Sequence, residues 1–331
     1  MKEIRWGIIG CGDVTEVKSG PAFQQIKGSK LVAVMRRDAA KAANYAKRHQ
    51  VERWYSDADE LINDPEVNAI YIATPPDAHA YYTLRALEAG KPVYVEKPMA
   101  IDTAQAQQML EASRKYKLPV YVAYYRRALS GFLKVKELIE NGQIGEVSQI
   151  NLQLHLPPRA EDYNKESLPW RVLSEKAGGG YFYDLASHQL DYLHFLFGKA
   201  EMIHSKTENR CGLYVVEDFV EAELNYPGDI TFKGSWNFCC KEEEQIDQIE
   251  IIGNKGRLRF SAYEFTPIEL IQKNKKQSFT FEKPRHVQKQ LIEQVAGALQ
   301  GQKECASTAE TALETNRLME QVISGQTSVS N

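Results

Sequence analysis

Ile4-Arg5-Trp6-Gly7-Ile8-Ile9-Gly10-Cys11-Gly12 is the stretch whose reading decides the fold. Its first six residues read as a buried strand, and the Gly-x-Gly turn closes that strand directly ahead of a helix pattern. Strand, glycine turn and helix in that order open a βαβ unit. The alternation continues downstream. Residues 31–35, 69–73, Val93–Val95 and Val120–Val122 read as further buried strands, with helical patterns over Ala39–His49, residues 78–89 and Thr103–Tyr116 between them. Gly90 suits a helix C′ position, and Pro92 stops the helix from continuing. Strands alternating with helices predict a doubly wound parallel sheet covered on both faces.

Past residue 124 the pattern changes. A helix over 131–140 is followed by a strand over 147–156, a polar loop over 157–176 and a helix over 183–197. Three strand pairs follow, each flanking a turn: 219–226 and 230–238 about Pro227-Gly228-Asp229, 249–252 and 257–260 about residues 253–256, and 268–272 and 278–282 about residues 273–276. Runs of hairpins predict a mostly antiparallel sheet. Helical patterns return over 287–299 and 309–323. At 331 residues two domains are expected. The reading is a Rossmann-type α/β domain over 1–123, an α/β domain with a large open sheet over 124–325, and a flexible tail over 326–331.

Composition narrows the function classes. Hydrophobic residues make up 43% and charged residues 26% of the chain, which is globular rather than disordered. A net charge of -3 offers no field to recruit nucleic acid. No apolar run approaches the roughly 20 residues a bilayer span needs, and no signal-peptide pattern opens the chain, so no membrane partner is expected. Five cysteines lack CxxC spacing and are odd in number, which argues against a disulfide framework or structural zinc and fits a reducing cytoplasm.

Five motifs carry chemistry. In Gly10-Cys11-Gly12, with Asp13 and Val14 after it, the glycines allow close backbone approach to a pyrophosphate resting on helix N–H groups. Thr15 stands where a third glycine is usual, so this motif alone is also compatible with a plain strand-to-helix turn. The second strand ends on Arg36-Arg37 rather than on the acid that would bind a ribose 2′-hydroxyl. Guanidinium forks suit a 2′-phosphate, so the cofactor reads as NADP, with NAD the alternative. Thr74-Pro75-Pro76 with His79, and Glu96-Lys97-Pro98, both fall at the carboxyl edge of the sheet, where ligands bind in such folds. A lysine there can stabilise a developing alkoxide, and Pro98, which can take the cis form, would fix its direction. His79 could equally face solvent. Finally, Gly178-Gly179-Gly180 leads into Asp184, His188 and Asp191, at i, i+4 and i+7 on an expected helix. A carboxylate one turn from a histidine suits general acid–base work, though a histidine merely satisfied by a helix-face acid has the same pattern. No further ligand cluster points to a metal.

In this order the motifs resemble the glucose–fructose oxidoreductase / inositol dehydrogenase (Gfo/Idh/MocA) family, and the likeness extends to Ile252-Gly253-Asn254-Lys255-Gly256. The resemblance implies an NAD(P)-dependent oxidoreductase acting on a sugar, cyclitol or related polyol. It implies Lys97 near the nicotinamide, His188 as the proton-transfer residue and Asp184 beside it. It also implies a substrate cleft lined by Trp170-Arg171 and the segment Tyr124-Tyr125-Arg126, and a homodimer or homotetramer assembled through the second sheet. The same fold also serves non-catalytic nucleotide or sugar sensors, which is the alternative function.

Overall fold

The computed structural model describes residues 1–273 and 275–325. Two compact units emerge: Met1–Ala128 with Pro284–Leu313, and Leu129–Lys283 with the chain from Glu314 onward.

The first unit begins with β1 (Ile4–Ile9), two short helices α1 (Asp13–Val17) and α2 (Gly20–Phe23), β2 (Ser29–Met35), α3 (Ala39–His49), β3 (Arg53–Tyr55) and α4 (Ala58–Asn63). It continues with β4 (Ala69–Ile72), α5 (His79–Glu88), β5 (Val93–Val95), α6 (Thr103–Tyr116) and β6 (Val120–Val122). All pairings are parallel and the strand order is β3-β2-β1-β4-β5-β6. That is the doubly wound order, whose direction reverses between β1 and β4. Both faces are covered, which explains why the inner strands read as mostly apolar runs; the short edge strand β3 was not expected from the sequence. Ile9, Ile70, Ile72, Val93 and Val95 pack into one layer. Trp6, Ile8, Tyr71 and Tyr94 pack into the other.

The second unit carries α7 (Ser130–Glu140), β7 (Val147–His155), α8 (Ser174–Ala177) and α9 (Ser187–Phe197). Seven strands follow: β8 (Glu201–Glu208), β9 (Phe219–Tyr226), β10 (Ile230–Asn237), β11 (Ile246–Gly253), β12 (Gly256–Phe260), β13 (Ile268–Gln272) and β14 (Lys275–Phe279). Their eight-stranded sheet has the order β14-β13-β12-β11-β7-β10-β9-β8. Among the described residues only β7 and β10 pair parallel; the rest are antiparallel, as the hairpin pattern predicts. Along β10 the burial alternates, with Phe232 and Trp236 inward and Thr231 and Lys233 exposed. Trp236 donates to Gln189 on α9 at 2.8 Å, and Phe182 meets the same indole edge-on, so α9 rests on the inner face of this sheet.

The chain then returns. Helix α10 (Lys289–Leu299) sends Leu291, Ile292, Val295 and Ala296 into the layer beneath Trp6 and Tyr71 of the first unit. The last helix, α11 (Ala309–Ser324), begins in the first unit, with Ala309, Ala312 and Leu313 on its other layer. A single boundary between residues 123 and 124 therefore misses a segment that comes back from far downstream. The expected tail over 326–331 lies outside the described residues.

Several local expectations are corrected. The expected strand over 278–282 begins at Lys275, because the β13–β14 link is shorter than the four-residue turn read from the sequence. Strand β8 was not foreseen: only Met202 and part of its neighbours are covered, so an edge strand with so little burial shows no apolar alternation. Most notably, Cys211 and Cys239 are joined in a disulfide, against the sequence expectation. Hairpin pairing of β9 with β10 places Phe219 opposite Asn237, which brings the two cysteines together without any short spacing motif. Asp218, buried beside them, accepts the backbone N–H groups of Arg210 (2.7 Å) and Cys211 (2.8 Å). No helix among the described residues is long and apolar enough to cross a membrane.

Candidate active site

The first unit gathers four of the motifs at the carboxyl ends of its strands. Gly10 leaves β1 with φ +91°, and its N–H and that of Cys11 both donate to the Met35 carbonyl at the end of β2. A Cβ at Gly10 would lie 2.9 Å from Thr74 Cγ2 and 3.0 Å from Thr74 N, so the two loops touch backbone to side chain. Gly12, the N-cap of α1, has open space around it, with nothing nearer a Cβ than 3.9 Å. The first N–H groups after it, on Asp13 and Val14, lack intrahelical acceptors by position. Thr15 replaces the usual glycine by turning inward: it is fully buried, its hydroxyl donates to Gly12 O at 2.7 Å, and Tyr45 donates to its carbonyl.

At the end of β2, Arg36 is half-buried and donates to the Cys11 carbonyl at 3.3 Å, which ties it to the glycine turn. Arg37 is exposed. Asp38 is occupied as the N-cap of α3, accepting the Lys41 N–H at 3.0 Å and facing its ammonium at 3.4 Å.

His79 does not face solvent. It is fully buried, with Nδ1 3.0 Å from Pro98 O and Nε2 2.9 Å from Thr74 O, so one imidazole straps the Thr74 turn to the Lys97 turn. Burial holds its pKa below the usual histidine range, while the two carbonyls pull it up. Thr74 Oγ1 is buried without a hydrogen-bond partner among the described residues. Glu96 is buried, Lys97 half-buried, and the Lys97–Pro98 peptide is cis. Space at Gly12, the tight Gly10–Thr74 approach and the unpartnered Thr74 hydroxyl fit a dinucleotide, whose phosphates seek backbone N–H groups and hydroxyl donors.

The second unit gathers the rest. Gly180 has φ +62°, and a Cβ there would press on Val216; Gly179 backs closely onto the Tyr183 ring. The expected helix over 183–197 opens instead with a π turn over Phe182–Ala186 and only then becomes α9. Such turns are rare and widen the helix locally, often at functional sites. Asp184 lies in that turn and His188, nearly fully buried, one residue into α9. Regular i, i+4 spacing therefore does not describe the step from Asp184 to His188. The carboxylate of Asp184 accepts from Arg171 Nε at 3.1 Å, a partner the sequence did not reveal, and the Arg171 guanidinium lies 4.5 Å over the Trp170 ring. Nearby, Tyr181 donates to buried Asp162 at 2.7 Å and sits under the Arg159 guanidinium. That pair anchors the polar loop over 157–176. Its signal, an Arg-x-x-Asp ahead of a distant tyrosine, is too diffuse to find in a sequence.

Tyr125 and Arg126 form a 3-10 turn in the first unit, with the buried guanidinium 5.2 Å from the Tyr125 ring. Trp170 and Arg171 belong to the second unit. The residues assigned from resemblance to one substrate cleft thus come from both.

Comparison with known proteins agrees with this architecture. Residues 4–124 match the family described as an oxidoreductase family with an NAD-binding Rossmann fold, and residues 132–259 match the GFO/IDH/MocA C-terminal domain. The chain is 39% identical over 319 residues to "Oxidoreductase P35" of Formosa agariphila, covering 96% of this chain and 97% of that protein. It is 27% identical to the 1,5-anhydro-D-fructose reductase of Ensifer adhaerens, over 77% of this chain and 74% of that one. A solved 3-ketoreductase from Actinomadura kijaniata, in complex with NADP and TDP-benzene, superposes with a TM-score of 0.83 at 21% identity, covering 98% of each chain. A strand order that reverses beside a glycine turn, a lysine on the carboxyl edge and a second open sheet meet in one lineage: the chain belongs to the Gfo/Idh/MocA family of oxidoreductases.

Proposed function

We propose that the protein is an NADP(H)-dependent dehydrogenase or reductase that interconverts a hydroxyl and a carbonyl on a sugar, cyclitol or related polyol. The observation that carries the cofactor choice is at the end of β2. Arg36 and Arg37 stand there, and the one neighbouring acid, Asp38, is committed to capping α3. An NAD site needs a carboxylate for the ribose 2′-hydroxyl, whereas two guanidinium groups suit a 2′-phosphate. The solved 3-ketoreductase was bound to NADP, and a reductase of an anhydrosugar stands among the relatives, which supports this reading.

The nicotinamide, when bound, supplies or accepts the hydride. Lys97 is the residue whose ammonium donates to the substrate oxygen and stabilises its partial negative charge. His188 takes the hydroxyl proton in oxidation and returns it in reduction. Burial of His188 keeps water from competing for that proton. Asp184, held by Arg171 at 3.1 Å, is the carboxylate that the family resemblance sets beside the imidazole, where its charge would favour the protonated ring. Trp170, Arg171, Tyr125 and Arg126 are the residues we assign to the polyol on the family resemblance.

Titration with NADPH and NADH, followed by a substrate panel at the reduced-nicotinamide absorbance band, tests this reading. NADPH should bind at least roughly tenfold tighter than NADH, and Arg36→Ala with Arg37→Ala should erase that difference, each lost charge-assisted bond being worth about 1.5 kcal/mol or more. Lys97→Met and His188→Ala should each cut turnover by roughly a hundredfold or more while leaving NADPH affinity within about twofold. Equal affinity for the two cofactors overturns the NADP assignment. Full turnover in either variant removes that residue from the mechanism, and tight binding without turnover on any substrate would favour a sensor.

A further inference from the structure

Beneath the Lys97 turn lies a buried polar cluster that the proposed mechanism does not use. Register pairs Tyr71 on β4 with Tyr94 on β5, and the two rings stack at 5.0 Å on one face of the sheet. Glu96, two residues beyond Tyr94, shares that face by strand alternation. Its Oε1 accepts from the Tyr71 hydroxyl at 2.5 Å and from Gln288 Nε2 at 2.5 Å. Its Oε2 lies 3.3 Å from the Lys97 backbone N–H. Gln288, only 1% exposed, arrives from the returning segment just ahead of α10, 192 residues away in sequence.

The amide of Gln288 is oriented rather than free to flip. Tyr94 donates to its Oε1 at 2.9 Å, which turns the NH2 end toward the carboxylate. Its own N–H donates to Lys18 O at 3.2 Å, and Ile292 closes the first turn of α10 on its carbonyl at 2.9 Å. Burial first, and the Glu96 carboxylate second, hold the Tyr71 and Tyr94 phenols well above their usual range, so both remain donors at all working pH values. A buried carboxylate costs several kcal/mol unless each oxygen is satisfied. Here two neutral donors converge on one oxygen and leave the other for the Lys97 amide.

We propose that Tyr71 and Gln288 are positioning residues for Lys97: through the Glu96 carboxylate they fix the backbone from which the Lys97 side chain projects. The inference rests on the reading of Lys97 as the group that meets the substrate oxygen, but the placement of Lys97 can be tested without turnover. The pair Tyr71→Phe and Gln288→Met keeps ring and side-chain volume and removes one donor to Glu96 each, the second also taking away the acceptor of Tyr94. In the cofactor-free protein, acylation of each lysine by an amine reagent is timed by mass spectrometry. Lys97 should change its rate at least about threefold in both variants, with lysines on α3 and β14 unchanged. In parallel, each variant should lower kcat by roughly tenfold with NADPH affinity within about twofold, as loss of one bond to a charged group predicts. The same changes made on a Lys97→Met background should cause no further loss, because a positioning effect vanishes when its target is gone.

An unchanged Lys97 labelling rate in both variants overturns the inference whatever the kinetics show. So does an equal, additive loss of kcat on the Lys97→Met background, which would mark a structural role only. If Lys97→Met itself turns over normally, the function assigned to Lys97 fails, and the labelling rates alone decide the positioning. Should Gln288→Met not fold, Tyr71→Phe carries both measurements.

Discussion

Gly10 bears two demands at once, a left-handed backbone and the nearness of Thr74. An L side chain in that region costs about 1–2 kcal/mol, and a Cβ 3.0 Å from backbone N adds a contact that only a shift of the β4 turn relieves. Gly10→Ala is therefore expected to lower the thermal midpoint by several degrees and to weaken NADPH binding together; a variant that melts and binds like the parent would show that the turn is not tight. Residues of this kind were legible in the sequence because their signal is local: a glycine after a strand, a lysine after a strand, a histidine after a glycine run. The partners that hold them were not. Arg171 reaches Asp184 across thirteen residues of irregular chain, and Gln288 reaches Glu96 across most of the molecule. No spacing rule links such pairs, since folding alone makes them neighbours. His79 shows the limit from the other side: the motif marked it, yet its burial between two carbonyls follows only from the meeting of two turns.

Among the elements, α1 shows how a short helix is kept in place. Five residues cannot sustain a helix alone. Glu16 ties it to α3 through two bonds to Arg48, at 2.6 and 2.7 Å, and one contact with His49 at 2.8 Å. The Arg48 guanidinium foremost holds the Glu16 carboxyl down at about 2, against an ordinary 4.5. A depressed carboxyl stabilises the fold above its unfolded pKa and loses that contribution as pH falls toward its folded one. Glu16→Gln should therefore cost about 1 kcal/mol at neutral pH, a surface-screened value, with the gap between parent and variant closing from pH 4.5 down to about 2. Unfolding curves across that range check it, and a gap that does not change with pH would exclude the ion pair as its source. The inner strands of the parallel sheet were legible because two covered faces leave few polar residues to interrupt them, whereas the short edge strand β3, with Arg53 and Trp54 reaching the surface, was not. The π turn over Phe182–Ala186 was not, since its sequence carries the same apolar periodicity as the helix it opens.

At the scale of the molecule, doubly wound and antiparallel halves were both legible, from alternation in one and hairpin turns in the other. Which residues belong to which half was less so, because apolar periodicity reports that a helix is covered and not by what. Helix α10 reads as one more amphipathic segment, yet it closes the first unit. That closure has an order in time. A chain made from its N-terminus displays β1 to β6 early, but the layer holding Trp6, Phe23, Tyr71 and Tyr94 stays uncovered until Leu291, Ile292, Val295 and Ala296 have been added. The cofactor half would thus be the first translated and among the last finished, with the whole of Leu129–Lys283 synthesised in the interval. A nascent chain halted at Ala128 should be rapidly cut by protease and should bind an apolar dye, and the same chain should gain protection when a peptide spanning Pro284–Leu313 is supplied. Protection of the halted chain on its own would mean that the returning segment ornaments this half rather than completing it.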